Sequence, residues 1–229
     1  MSLPPDRPDI VPPPSPAGTA QAMASARKGR VVIVMAKAPV AGYAKRRLAP
    51  VLGAAGAAEL AERLLQHAVR EAACAGFDSV ELCTAPDAGH AAFRRLRRQH
   101  RLLVTTQGGG SLGDRMHQAL SRALVTHERA LLIGTDAPAL DATMMQRAAD
   151  ALDRADAVFV PALDGGYVLV GLRHPARVLF ENITWSTDQV MRQTRERAAA
   201  AGLKLAELAP VPDIDVPADL ANLPFGWVT

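Results

Sequence analysis

The sequence predicts an α/β protein in which helices pack against a sheet rich in valine and leucine. Hydrophobic residues make up 49% of the 229 residues but aromatic residues only 4%, so small aliphatic side chains must build the core. Short apolar runs of strand length alternate with longer segments of helical periodicity, and this alternation is typical of α/β folds. The length suits one medium domain, or one domain with a tail.

The first 28 residues differ in composition from the rest, because they hold seven prolines and no apolar stretch of the kind found in signal peptides. We therefore predict a disordered proline-rich tail over 1–28 and a single domain over 29–229. No apolar run approaches the ~18 residues of a membrane span. Cys74 and Cys83 are too few for a disulfide framework, which favours a reducing, cytoplasmic location.

Periodicity and turn residues place the elements along the chain. Strands are predicted at 31–36, 80–84, 102–105, 131–133, 157–161, 168–172 and 203–208. Helices are predicted at 53–75, 86–100, from 112 onward, 140–153 and from Thr187 or Asp188 to 201, where either residue could be the N-cap. The mild net charge of +3 suits anionic small molecules, and the arginines at 94–98 lack interleaved aromatic residues, so we predict no nucleic-acid partner.

The strand at 131–133 runs into Gly134, Asp136 and Pro138. Ligands of open α/β sheets bind outside the carboxyl ends of the strands, so a carboxylate here is well placed to hold a divalent cation against phosphate oxygens. Asp136 could equally cap the helix that begins near 140.

The loop after the first strand, 37–48, combines proline, Gly42 and four cations. This composition favours anion binding through Lys37, Lys45, Arg46 and Arg47, although a solvated basic turn has the same pattern. The spacing fits neither a Walker loop nor a dinucleotide fingerprint.

Three further segments carry candidate ligand contacts. The glycine-rich segment 107–116 suits either a ligand contact or a mobile loop, with Asp114 as a helix cap and Arg115 facing the ligand. The Asp-Gly-Gly run at 164–166 reads as a hairpin turn, or as room for a substrate. Trp185 either shapes an acceptor pocket or closes the edge of the core.

The alternation in Asp213-Ile214-Asp215 places both carboxylates on one side of an extended segment. Together with Asp136 they form a candidate split metal site. The alternative is that Asp215 and Asp219 only cap the last helix.

Six short motifs, in this order, resemble the nucleotide-diphospho-sugar transferase superfamily. They are Ala36-Lys37-Ala38-Pro39 with Gly42 and 45–48, Gly110-Ser111-Leu112-Gly113-Asp114-Arg115-Met116, Gly134-Thr135-Asp136-Ala137-Pro138, Asp164-Gly165-Gly166-Tyr167, Trp185-Ser186-Thr187 and 213–220. Within the superfamily, the chain is most similar to the bacterial glycosyltransferase-like family, also called radical-SAM/selenodomain-associated transferase 1. That family is related to phospholactate guanylyltransferase and to molybdopterin nucleotidyltransferases.

The resemblance implies a three-layer α/β/α sandwich, Rossmann-like, with a mixed and mainly parallel sheet. It implies Mg²⁺ (or Mn²⁺) held by Asp136 and Asp215, with Lys45, Asp136 and Asp164 as the catalytic residues. The implied nucleotide and phosphate contacts are Ala36, Lys37, Gly42, Lys45, Arg47, Gly110, Gly113 and Arg115. The implied acceptor pocket consists of Gly165, Gly166, Tyr167 and Trp185. Arg46 departs from the family pattern, which has threonine there.

The expected function is transfer from an activated nucleotide to a small-molecule acceptor, with no membrane partner. Glycosyl transfer from a nucleotide-sugar is favoured by the family resemblance. Nucleotidyl transfer from a nucleoside triphosphate, with release of pyrophosphate, is the alternative that the basic first loop favours. A non-catalytic nucleotide-binding module is the remaining reading.

Overall fold

A computed structural model describes residues 29–227 of the chain, and the predicted proline-rich tail lies outside this range. Seven strands build one sheet: β1 (Arg30–Lys37), β2 (Ser79–Ala85), β3 (Leu102–Thr106), β4 (Arg129–Ile133), β5 (Ala157–Pro161), β6 (Tyr167–Leu172) and β7 (Leu205–Glu207). Five α-helices connect them: α1 (Ala49–Cys74), α2 (Ala91–Gln99), α3 (Leu112–Ala123), α4 (Ala142–Ala151) and α5 (Val190–Ala200). Two 3₁₀ helices span Arg177–Phe180 and Pro217–Asn222.

The strands lie in the order β3-β2-β1-β4-β6-β5-β7. Only β6 runs antiparallel to its neighbours, β4 and β5; the other pairs are parallel. The predicted mixed, mainly parallel sheet is therefore confirmed. Because β6 alone is reversed, the carboxyl ends of β1, β4 and β5 and the start of β6 meet at one edge of the sheet.

The two faces of the sheet are covered by separate hydrophobic layers, which confirms the three-layer architecture. Side chains alternate along β1, so that Val32 and Val34 belong to one buried layer and Val31 and Ile33 to the other. The first layer includes residues from α1, α2 and α4, and the second includes residues from α3 and α5. A third, smaller cluster joins α1 to the C-terminal segment through Leu48 and Ile214.

The helices form where periodicity predicted them, but several begin at other residues. The continuous part of α1 follows Gly53, whose φ of 70° breaks the helix. The start of α2 moves from 86 to 91, where the side chain of His90 accepts a hydrogen bond from the amide of Ala92. The predicted N-cap of α5 at Thr187 or Asp188 is wrong, since the cap position is Gln189, without a side-chain bond.

Two further findings concern the helices and the cysteines. No helix within residues 29–227 is both long enough and apolar enough to cross a membrane. Cys74 and Cys83 are both free; the first is exposed and the second is buried.

Gly171 of β6 lies between Leu131 of β4 and Val158 of β5. A Cβ at this position would come within 2.3 Å of the Leu131 Cδ2 atom and 2.7 Å of the Val158 Cγ1 atom. The sheet therefore accepts only glycine at this position without displacing its neighbours.

We predict that Gly171→Ala lowers the free energy of unfolding by about 1–3 kcal/mol, because overpacking a filled core costs that much. Urea denaturation measures the change. The matched control is Gly109→Ala, since no atom lies within 4 Å of a Cβ placed there; its effect should stay below about 0.5 kcal/mol. Equal effects of the two variants would contradict the packing described for Gly171.

Candidate active site

The candidate site lies where the chain leaves β1 and β4, beside the C-terminal segment 211–216. The amide of Ile214 donates to the carbonyl oxygen of Asp136 at 2.8 Å, which holds the segment against the loop after β4. An isolated parallel bridge between Ala162 and Val211 fixes the start of the segment beside the end of β5. Residues that are far apart in the sequence thus meet at the edge where ligands of α/β sheets bind.

Lys45 is the central side chain of this edge. Its Nζ atom lies 2.8 Å from Oδ1 of Asp136, and it also donates to the carbonyl oxygen of Ile214. The side chain is only 6% exposed, whereas that of Asp136 is 48% exposed. The φ of Lys45 is 45°, in a region that costs a non-glycine residue about 1–3 kcal/mol. The backbone of the first loop is therefore strained at the residue whose side chain contacts Asp136.

A second ion pair joins the same two segments. Arg47 donates from Nη1 to Oδ2 of Asp215 at 2.6 Å, and both side chains are largely exposed. Behind the two pairs, Leu48 and Ile214 are fully buried against α1. The burial of Ile214 confirms that the Asp213-Ile214-Asp215 alternation has an apolar and a polar side.

Asp136 does not cap the following helix. That cap is Asp141, whose Oδ1 accepts the amide hydrogen of Met144 at 2.7 Å. Asp136 instead accepts from the hydroxyl of Thr135 and from Lys45. The carboxylate is therefore free of a helix-capping role, and we retain it as a ligand-binding candidate.

Asp213, which the sequence grouped with Asp215 and Asp136 in the split site, lies among other carboxylates. Burial raises its pKa from 3.8 to about 6, and the negative charges of Asp164, Asp219 and Asp136 add to this rise. Its neighbour Asp219 accepts the amide hydrogens of Asp215 and Val216 at the start of the last helix, as the capping alternative expects, whereas Asp215 pairs with Arg47. These carboxylates repel one another, and a bound cation would reduce this repulsion.

The predicted metal ligands Asp136 and Asp215 each contact a basic side chain, Lys45 and Arg47 respectively. Across residues 29–227, no three side chains of His, Cys, Asp or Glu are arranged to hold a metal ion. The predicted split site is therefore not a preformed metal-binding site. Carboxylate oxygens are nevertheless suitable ligands for Mg²⁺, which proteins commonly hold through one or two carboxylates together with substrate phosphates.

Gln107 organises the other half of the edge and was missed at the sequence level. Its side-chain Nε2 donates to the carbonyl oxygens of Ala36 and Cys83, at 3.1 and 3.3 Å. Its Oε1 accepts from Nη1 of Arg115 at 2.8 Å. The signal was present, because Gln107 is a polar residue that directly follows β3, just as Asp136 follows β4. The predicted contact Arg115 is thereby anchored to the ends of β1 and β2.

The glycines before and within α3 have packing roles. The turn at Gly110 has a φ of 95° and lies against Asp114, which forms a reciprocal capping box with Ser111. A Cβ on Gly113 would come within 2.8 Å of the Trp185 ring. The missing side chain of Gly113 therefore makes room for Trp185, and its contact with the nucleotide stays a prediction.

The predicted acceptor residues divide between turn and core. At Gly165 the backbone of Asp188 lies within 2.3 Å of a Cβ position, so this glycine makes no room for a substrate, and that expectation is corrected. The amide of Gly166 donates to Oδ1 of Asp164, which confirms the hairpin turn.

Tyr167 and Trp185 continue from this turn into the core. The Tyr167 ring packs edge-on against Phe159 with centroids 4.9 Å apart, and its hydroxyl contacts the Met116 sulfur at 3.9 Å. Burial raises the pKa of Tyr167 above its ordinary value. Trp185 is half-buried with its ring 6.3 Å from Tyr167, so it closes the edge of the core.

Of the remaining predicted contacts, Ala36 is buried in β1, whereas Lys37 and Gly42 are exposed. Lys37 is exposed at the end of β1, and no ion pair involves it among the described residues. No atom lies within 4 Å of a Cβ placed on Gly42 or Gly134. The space between the first loop and the end of β4 is therefore accessible to a ligand.

Comparisons with known proteins identify the family to which the chain belongs. The sequence model of a bacterial family described as "uncharacterized protein conserved in bacteria (DUF2064)" matches residues 64–187. The match covers more than half of the chain, and the chain belongs to this family. No curated protein matches the sequence.

Solved structures confirm the predicted superfamily resemblance. A protein from Desulfovibrio desulfuricans G20, provisionally described as a nucleotide-diphospho-sugar transferase, is 28% identical, with a TM-score of 0.75 over 83% of this chain and 84% of that chain. A nucleotidyl transferase from Methanothermobacter is 14% identical, with a TM-score of 0.57 over 85% and 95% of the two chains.

A third structure, 4-diphosphocytidyl-2C-methyl-D-erythritol synthase from Anaerococcus prevotii, is 12% identical, with a TM-score of 0.54 over 85% and 96% of the chains. At these identities, the last two structures show a shared fold alone. The fold is that of transferases, and the likeness to the Desulfovibrio protein supports the predicted enzyme role.

The raised pKa of Asp213 predicts a definite pH dependence. The unfolded chain releases this proton near 3.8 and the folded chain near 6, so the folded state binds more protons between these values and its stability falls as the pH rises through them. Asp213→Asn should therefore raise the thermal midpoint at pH 7, with the gain vanishing below pH 4. Thermal unfolding followed by circular dichroism at the two pH values measures this, and a gain that is the same at both would contradict the assignment.

Proposed function

We propose that the chain is a transferase that binds an activated nucleotide, together with a divalent cation, at the edge formed by β1, β4 and segment 211–216. The observation that carries the proposal is the contact of Lys45 with Asp136. A buried ammonium group and a half-exposed carboxylate, brought from distant parts of the chain, are the two charges that a phosphate group and its cation require.

The basic side chains supply the phosphate contacts. Lys37, Lys45 and Arg47 leave β1 on one loop, and all three can donate to phosphate oxygens. Arg115, held by Gln107 over the ends of β1 and β2, contributes a further cation. Because the first loop and Gln107 place these donors at one edge of the sheet, they can together stabilise the charge that develops on a departing phosphate.

The carboxylates supply the cation contacts. Asp136 with Asp215 would hold Mg²⁺ or Mn²⁺, and the position of Asp213 beside Asp136 adds it as a third candidate. When bound, such an ion polarises phosphate oxygens and stabilises the leaving group. Asp164 remains a candidate general base, since it lies exposed at the turn before β6 and close enough to Asp213 to raise its pKa.

We infer glycosyl transfer from a nucleotide-sugar as the reaction, to a small-molecule acceptor that enters near Trp185. The description of the Desulfovibrio protein as a nucleotide-diphospho-sugar transferase supports this choice. Nucleotidyl transfer is the second candidate. It is favoured by the four cations of the first loop, because a triphosphate donor carries more charge than a nucleotide-sugar. The free cysteines agree with a cytoplasmic enzyme.

Calorimetry tests the proposal with nucleoside triphosphates and nucleotide-sugars, each titrated with Mg²⁺ and with EDTA. The wild type should bind at least one of them more tightly with Mg²⁺. Asp136→Asn should abolish the difference between Mg²⁺ and EDTA, because a cation ligand is lost. The matched control is Asp141→Asn, which changes a helix-capping carboxylate five residues away and should leave the difference intact.

The identity of the ligand that binds separates the two reactions. Preferential binding of a nucleotide-sugar supports glycosyl transfer, and preferential binding of a triphosphate supports nucleotidyl transfer. Absence of binding by every nucleotide, or unchanged Mg²⁺ dependence in Asp136→Asn, would overturn the proposal.

A further inference from the structure

The basic and acidic groups of the site contact each other in the free chain. Lys45 contacts Asp136, and Arg47 contacts Asp215. Two of the predicted phosphate-binding residues are thus already paired with the two predicted metal ligands. If the four side chains serve the ligands as proposed, both pairs must exchange partners when the ligands bind.

We propose that this exchange makes cation binding depend on a polyphosphate: the site is closed by its own ion pairs in the free chain and opens only when phosphate oxygens replace Asp136 as the partner of Lys45. The inference rests on the proposed function. It concerns the order and coupling of ligand binding at that same site.

The burial of Lys45 is the first reason. Its side chain is 6% exposed, and its partners among the described residues are Asp136 and the carbonyl oxygen of Ile214. A divalent cation that drew Asp136 away would leave the buried ammonium with the carbonyl alone and would place a second positive charge beside it. Burying a charge without a partner is costly, so a cation alone should bind weakly.

A polyphosphate removes this obstacle. Its oxygens can accept from Lys45 and from Arg47, and the same polyphosphate can complete the coordination shell of the cation. The two ligands then stabilise each other, and by linkage each must raise the affinity of the other by the same factor.

The two pairs should contribute unequally. The Arg47–Asp215 pair has side chains that are 66% and 44% exposed, and exposed pairs are weak because water and salt screen them. Lys45 is nearly excluded from water. Exchange at Lys45 therefore controls the coupling, and exchange at Arg47 adds little.

The test measures two binding reactions separately, so that no cation–phosphate complex forms in solution. Mn²⁺ binding to the protein alone is followed by electron paramagnetic resonance, and nucleotide binding in EDTA is followed by calorimetry. The variants are Lys45→Met and Asp136→Asn. Arg46→Met is the matched control, because it removes the same charge from the same loop at an exposed residue that makes no ion pair among the described residues.

Lys45→Met should bind Mn²⁺ about 10-fold more tightly than the wild type, within the usual range of coupling between sites, and should bind nucleotide more weakly. Asp136→Asn should show the reverse: tighter binding of nucleotide in EDTA, because Lys45 is released, and loss of Mn²⁺ binding. Arg46→Met should change Mn²⁺ affinity by less than about twofold, since exposed charges are screened.

Each variant should strengthen one binding reaction and weaken the other, and these opposite changes in affinity distinguish partner exchange from a structural role of Lys45. If Lys45 only stabilised the loop, Lys45→Met would weaken both reactions, and that result would overturn the proposal. A gain in Mn²⁺ affinity equal to that of Arg46→Met would also overturn it, because it would reflect net charge alone. If the wild type binds nucleotide with Mg²⁺ and the opposite signs are absent, only the exchange fails; if it binds no nucleotide at all, the proposed function fails with it.

Discussion

The ammonium group of Lys45 is the constraint on which the candidate site depends. It joins the loop after β1, the loop after β4 and segment 211–216 through Asp136 and the carbonyl oxygen of Ile214. The backbone of Lys45 accepts a positive φ to reach this position, and Leu48 and Ile214 bury the apolar side of the same junction. Without this contact the segments would be joined by main-chain bonds, a small hydrophobic cluster and the exposed Arg47–Asp215 pair.

The sheet explains why these charges meet. Reversal of β6 alone leaves the ends of β1, β4 and β5 on one edge, and Gln107 adds the end of β3 to it by bonding to the carbonyl oxygens of Ala36 and Cys83. Side chains of both signs therefore lie together at this edge, with Lys45 and Arg115 as cations and Asp136 and Asp213 as carboxylates. Cations that contact phosphate and carboxylates that hold a metal ion are the groups that phosphate transfer chemistry uses.

Much of this architecture could be predicted from the sequence, because strands buried on both faces and periodic helices leave strong local signals. The strands were found to within about two residues. The roles of single residues were harder, since they depend on contacts between distant segments. Gly113 and Gly165 suggested ligand contacts, but their missing side chains make room for Trp185 and for the backbone of Asp188. The raised pKa of Asp213 could not be predicted, because its burial among other carboxylates is a property of the folded chain alone.

The central claim is that the Lys45 ammonium group contacts Asp136 in the free protein and a phosphate oxygen in the protein with bound nucleotide and metal ion. The most direct measurement is a pair of crystal structures, one of the protein alone and one with Mn²⁺ and the nucleotide that binds most tightly, with the metal located by its anomalous scattering. We expect the metal at Asp136 and the Lys45 ammonium on a phosphate oxygen in the second structure. A metal bound elsewhere, or a Lys45 that still contacts Asp136 when both ligands are present, would contradict the account.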